Sequence, residues 1–90
     1  MVQYQEMKET LAEIVPRVDW ETDLPLMESG LLDSLDILMI VAKLYARFQT
    51  EIPPEELTAE NFNSVESIRV LYERYEGSVN RPVLKILAER

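Results

Sequence analysis

The residues able to do chemistry are few, and two residue types that usually do it are missing. The 90-residue chain holds no His and no Cys. Without imidazole it lacks the side chain that most often serves as a general base near neutral pH. No Ser-His-Asp arrangement can be assembled from it. Without Cys there is no disulfide, no thiolate metal site and no cysteine nucleophile. Among the hydroxyls that remain, Ser34 lies at a predicted helix start, in the run Gly30-Leu31-Leu32-Asp33-Ser34-Leu35-Asp36. A hydroxyl with no base beside it is a weak nucleophile. Ser34 therefore reads either as ordinary chemistry of a helix start or as a point that another enzyme modifies. An active site built from this chain alone is not expected, and the chain is read as a non-enzyme.

Composition narrows the partners. Asp plus Glu number 17 against 9 Lys plus Arg, a net charge of −8. A large basic surface for nucleic acid is excluded by that balance. Hydrophobic residues make up 47%, enough for a packed core rather than a disordered chain. The longest apolar run, residues 37–42, is far too short to span a bilayer. The N-terminal residues lack the basic segment and apolar core of a signal peptide. The expectation is one small cytoplasmic domain, monomeric, engaging neither nucleic acid nor membrane. The acidic side chains read as a solvated face, and no metal site is expected.

The elements that must position Ser34 follow from spacing. Tyr4, Met7, Leu11, Ile14 and Val15 repeat with helical period, predicting a helix over 3–15 that Pro16 stops. Residues 16–33 form a long connection with no sustained period, expected to be packed down by Trp20 and Leu26. A second helix is predicted over 34–48, with Asp33 as N-cap and Asp36 in the first turn. Thr58 can cap one short turn to Phe62. Ser64 can cap a last helix over 65–75, with Val65, Ile68, Leu71, Tyr72 and Tyr75 as its stripe and Gly77 as its stop. The fold class is all-α: a small bundle of three main helices and one short helix, with a long first loop.

Domain organisation is read as a folded unit over 1–77 and a C-terminal tail or short extra helix over 78–90. All the acidic residues but Glu89 precede Gly77, whereas the tail carries Arg81, Lys85 and Arg90 among Val83, Leu84, Ile86 and Leu87. Such a segment packs on its own bundle or docks on a partner.

On a wheel, Ile37, Ile40, Val41, Leu44 and Phe48 share the core face of the second helix. Leu35, Leu38, Met39, Ala42, Tyr45 and Ala46 lie opposite, and Asp36, Lys43 and Arg47 form a polar seam. A helix apolar nearly all round is buried on more than one side. Leu38, Ala42 and Tyr45 are expected under the later helices. Leu35, Met39 and Ala46 are expected near solvent and, with Asp36, form the expected partner contact.

The run Asp33-Ser34-Leu35 resembles the opening of the second helix in the acyl carrier protein family, which includes peptidyl and D-alanyl carriers. Phe48-Gln-Thr-Glu-Ile52-Pro53-Pro54-Glu55-Glu56-Leu57 resembles the stretch leaving that helix. Asn61-Phe62-Asn63-Ser64-Val65-Glu66-Ser67-Ile68 resembles the start of the last one. The likeness spans about residues 3–76. It implies that Ser34 carries 4′-phosphopantetheine, donated by coenzyme A through a phosphopantetheinyl transferase, and that Asp33 helps present the site. It further implies an adenylating ligase or acyltransferase that loads an acyl or aminoacyl group as a thioester. One departure is visible. Carriers of bacterial fatty-acid synthesis have a strongly acidic second helix, whereas Met39, Lys43, Tyr45, Ala46 and Arg47 fill that stretch here. This favours partners that read an apolar strip, such as adenylating enzymes that load amino or aryl acids, and Leu32-Asp33-Ser34 is similar to the same run in stand-alone D-alanyl or peptidyl carriers. The alternative is an acidic helical adaptor that keeps the carrier fold but binds partners without a prosthetic group.

Overall fold

Four α-helices follow one another as α1 (Tyr4–Ile14), α2 (Ser34–Phe48), α3 (Ala59–Phe62) and α4 (Val65–Arg74). A single 3₁₀ turn, Pro54–Glu56, separates α2 from α3. The computed structural model describes residues 2–76. No strand occurs among the described residues. The all-α bundle expected from the sequence is the fold observed.

Local chemistry sets each boundary. α1 gives out at Val15, the residue before Pro16. α2 starts at Ser34 because Asp33 is held extended and its carboxylate accepts the Asp36 amide at 2.9 Å. The Asp36 carboxylate accepts the Asp33 amide in return at 3.0 Å. This reciprocal capping box satisfies two amides that the first turn leaves without a carbonyl. The helix ends where Gln49 turns left-handed at φ 53° and its amide bonds the Tyr45 carbonyl. Thr58 caps α3, and Ser64 with Ser67 forms a second capping box at α4. α4 ends at Arg74, one residue before the expected limit, with Tyr75 as its cap. The expected stop at Gly77 and the tail over 78–90 lie outside the described residues.

α1 and α2 run antiparallel. Arg47, late in α2, lies 3.8 Å from Glu6, early in α1, while Arg17, just past α1, pairs with Asp36 in the first turn of α2. The core joins Met7 and Leu11 of α1, Ile37, Ile40 and Leu44 of α2, Phe62 of α3, and Ile68, Leu71 and Tyr72 of α4. The 16–33 connection is packed down as expected, with Trp20 and Leu26 both buried. The Trp20 indole N–H donates to the Val15 carbonyl at 3.0 Å, so its polar atom is satisfied inside the core.

One side of α2 departs from expectation. Leu38, Ala42 and Tyr45 are exposed, Leu38 at 58% and Tyr45 at 47%. α4 packs on α1 and α3, and α2 packs on α1, so the later helices do not cover the outer face of α2. Val41 and Phe48 are half-buried at the rim of the core face.

The Tyr72 hydroxyl is buried without a hydrogen-bond partner among the described residues, and burial raises its pKa. An unmet buried hydroxyl costs about 1–3 kcal/mol, and removing it while keeping the ring leaves the packing intact. Tyr72→Phe is expected to leave the protein at least as stable as the wild type, and by about 1 kcal/mol more stable, read from the midpoint of urea unfolding. A loss of more than about 1 kcal/mol contradicts the reading of Tyr72 as unsatisfied.

Candidate functional site

Ser34 is the first residue of α2 and is exposed. Its position is set from both sides. On the helix side, the Asp33–Asp36 box fixes where helical backbone begins. On the loop side, the chain folds through a tight turn in which the Ser29 amide bonds the Pro25 carbonyl and the Gly30 amide bonds the Met27 carbonyl. Gly30 sits at φ 85°, a left-handed conformation that glycine adopts without strain. The Leu32 amide then bonds the Leu26 carbonyl and closes the turn, with Leu32 buried beneath it.

Asn63, between α3 and α4, ties this loop down. Its side-chain oxygen accepts the Met27 amide at 2.9 Å and the Glu28 amide at 3.2 Å, and its carbonyl accepts the Leu26 amide at 2.8 Å. Met27, thus held, forms one wall of an apolar groove of about 180 Å³ whose other lining residues are Ser34, Ile37, Leu38 and Leu57. Leu57 is placed by its neighbour Glu56, whose carboxylate accepts the Tyr75 hydroxyl at 2.6 Å and the Asn61 amide at 3.0 Å.

The sequence-derived candidates divide into two groups. Ser34, Asp33, Leu35, Met39 and Ala46 are all exposed; Leu35 reaches 74% and Met39 39%. Asp36 does not join them. It is 6% exposed, its carboxylate engaged by the Asp33 amide and the Arg17 guanidinium. Its place in a partner surface is therefore corrected: the side chain that the wheel put in the polar seam is drawn inward by the capping box. The Arg17 guanidinium holds the Asp36 carboxyl below the usual range, and the Asp33 amide adds to the effect against the opposing cost of burial.

Arg17, Asn63, Leu38 and Leu57 were not singled out as site residues by sequence reasoning. For Arg17 a signal existed, since it is the only cation in the 16–33 connection, among Asp19, Glu21, Asp23 and Glu28.

The arrangement suits a tethered phosphodiester. The capping box uses the Asp36 amide, and helix geometry leaves the amides of Ser34 and Leu35 with no carbonyl one turn back. Such a terminus favours negative charge on the residue it begins with. The groove beside Ser34 offers apolar cover to an arm extending from it.

The family model for the phosphopantetheine attachment site matches residues 5–69. The chain belongs to this family. It is a carrier protein whose prosthetic group is 4′-phosphopantetheine. This carrier is 31% identical over 68 residues to the D-alanyl carrier protein of Lactococcus lactis subsp. lactis (strain IL1403), covering 69% of this chain and 86% of the relative. To the D-alanyl carrier protein of L. lactis subsp. cremoris (strain MG1363) it is 29% identical over the same length and shares of coverage. No solved structure gives a significant match.

The Asp36 pair makes the carrier sensitive to acid. A carboxyl whose folded pKa lies below its unfolded value contributes stability that is fully present above about pH 4 and is lost as pH falls through the folded value. Unfolding free energy from urea titrations is expected to fall more steeply toward acid in the wild type than in Asp36→Asn. Parallel pH profiles for the two proteins contradict this account.

Proposed function

We propose that Ser34 is the attachment residue and that the carrier performs no catalysis of its own, delivering an acyl or aminoacyl group between partner enzymes. The observation that carries this reading is the exposure of Ser34 at the first position of a capped helix, beside an apolar groove. The prosthetic group, once attached, supplies a thiol at the end of a flexible arm, on which cargo is held as a thioester. Ser34 Oγ is the atom that bonds to phosphorus, and its proton leaves to a base that this chain lacks. A phosphopantetheinyl transferase acting on coenzyme A therefore supplies the base. Asp33, exposed next to Ser34, flanks the site that the transferase reads.

Loading belongs to a second partner. Leu35, Met39 and Ala46, joined by Leu38 and Tyr45, make an exposed apolar strip on α2 that suits a partner contact. The D-alanyl carrier relatives favour an aminoacyl cargo and an adenylating ligase over an acyltransferase. The setting is cytoplasmic and the carrier monomeric, engaging neither nucleic acid nor membrane. The net charge of −8 disfavours nucleic acid, and no helix among the described residues is long and apolar enough to cross a membrane.

Incubation with coenzyme A and a broad-specificity transferase is expected to add one phosphopantetheine group by intact mass, and to add none to Ser34→Ala. A wild type that gains no mass, or a gain that survives in Ser34→Ala, overturns the reading. For the strip, Met39→Glu is expected to raise KM about tenfold for aminoacyl loading of the modified carrier by an adenylating ligase. The thermal midpoint is expected to stay at the wild-type value, because the side chain is exposed. An unchanged KM removes Met39 from the contact.

A further inference from the structure

We infer that Arg17 is a positioning residue for the modification of Ser34: one guanidinium bridges the chain on both sides of the hydroxyl and offsets the carboxylate charge beside it. The inference rests on Ser34 being the attachment residue. Arg17 stands at the start of the long connection, far from Ser34 in sequence. Its Nη2 nonetheless donates to the Asp36 carboxylate, after Ser34, and reaches the Leu31 carbonyl at 3.4 Å, before Ser34. The loop and the first turn of α2 are thereby held to one group.

Charge gives the bridge its consequence. Two carboxylates, Asp33 and Asp36, stand in the cap of α2, and both serve it. The donor that delivers phosphopantetheine carries a diphosphate, so the reacting phosphorus approaches with negative charge. Without its cation, Asp36 adds a second negative charge to that of the exposed Asp33 and strengthens the repulsion of the donor. Asp36 is the carboxylate that Arg17 answers: the Asp36 side chain is 9% exposed, while that of Arg17 is 58% exposed. Arginine has five N–H donors, and a single nitrogen, Nη2, makes the two contacts described. The rest of the guanidinium is thus available at the same end of α2 to an incoming anion.

The modification step itself is balanced without Arg17. Ser34 Oγ forms a bond to the phosphorus that carries pantetheine, the diphosphate P–O bond breaks, adenosine 3′,5′-bisphosphate leaves, and the hydroxyl proton goes to a base on the transferase. Arg17 holds the turn in which the nucleophile sits and lowers the electrostatic barrier to the donor.

The test is the rate of Ser34 modification in the full chain with coenzyme A and a broad-specificity transferase. Arg17→Met is expected to lower kcat/KM about tenfold or more, with helical content retained. Raising the salt concentration is expected to narrow that gap, because screening weakens the repulsion between the donor and an Asp36 carboxylate left without its cation; a purely structural role gives a gap that salt leaves unchanged. Asp36→Asn in the Arg17→Met background is expected to recover most of the rate. Arg17→Lys, which keeps the charge but not the planar fork, is expected to fall between, and it carries the comparison where Arg17→Met fails to fold. An Arg17→Met rate within about twofold of the wild type, or a loss that the double variant does not recover, overturns the inference alone. A wild type that is never modified overturns the Ser34 reading and the inference with it.

Discussion

The first turn of α2 depends on a carboxylate turned inward. Asp36 accepts the amide of its own cap residue, and Asp33 accepts the amide of Asp36. That exchange decides which residue is the first of the helix, and so which hydroxyl stands at its tip. A capping box normally joins a neutral hydroxyl to an acid. Here both members are acids, and two negative charges within one turn oppose each other. The helix terminus offsets part of that opposition. Arg17 offsets another part, and because Asp36 is nearly buried its cation acts where water screens least.

The long first connection is the second half of the same device. A stretch of this length loses much conformational freedom on ordering, and its amides need partners wherever it is buried. Trp20 and Leu26 supply the apolar anchorage, and Asn63 supplies acceptors for three consecutive amides, Leu26 to Glu28. The connection thus becomes a rigid strap between α1 and the α3–α4 junction. Met27 and Leu57, the two groove walls that do not come from α2, are both placed by residues near that junction. Asn63 and Asn61 therefore shape the surface next to Ser34 without touching the hydroxyl.

What the sequence made legible is what local chemistry decides. The limits of α2 follow from Asp33 and from a helical pattern that ends at Phe48, and α3 and α4 begin after Thr58 and Ser64 as their capping side chains require. The buried roles of Trp20 and Leu26 follow from their large apolar side chains in a connection too long to stay ordered without anchors. Failures arise where an outcome depends on residues distant in the chain. Leu38 and Tyr45 look coverable on a wheel, yet coverage depends on where α4 docks, and α4 docks on α1 and α3. Asp36 looks like solvent-facing polarity, yet its fate is set by Arg17 and by the cap. Tyr75 reads as one more apolar residue of a stripe, whereas its ring is half-buried and its hydroxyl serves Glu56.

The same geometry explains why a site of this kind needs no catalytic apparatus. A helix terminus can stabilise negative charge on the residue that opens it, because its first amides point outward with no carbonyl to bond. It cannot take a proton from that residue. Deprotonating a serine needs a base of suitable pKa within hydrogen-bond reach, and both carboxylates of the turn are engaged, Asp33 by the Asp36 amide and Asp36 by an amide and a guanidinium. A hydroxyl so placed is stable on its own, and under the proposed attachment at Ser34 it takes a phosphodiester only when an outside base removes its proton. Exposure then has a positive role. An arm fixed at the rim of the bundle can swing over the groove or away from it, whereas an attachment point inside the core cannot. An uncovered outer face of α2 next to that rim costs the carrier some apolar burial, and under the proposed function that face is where a partner enzyme seats itself.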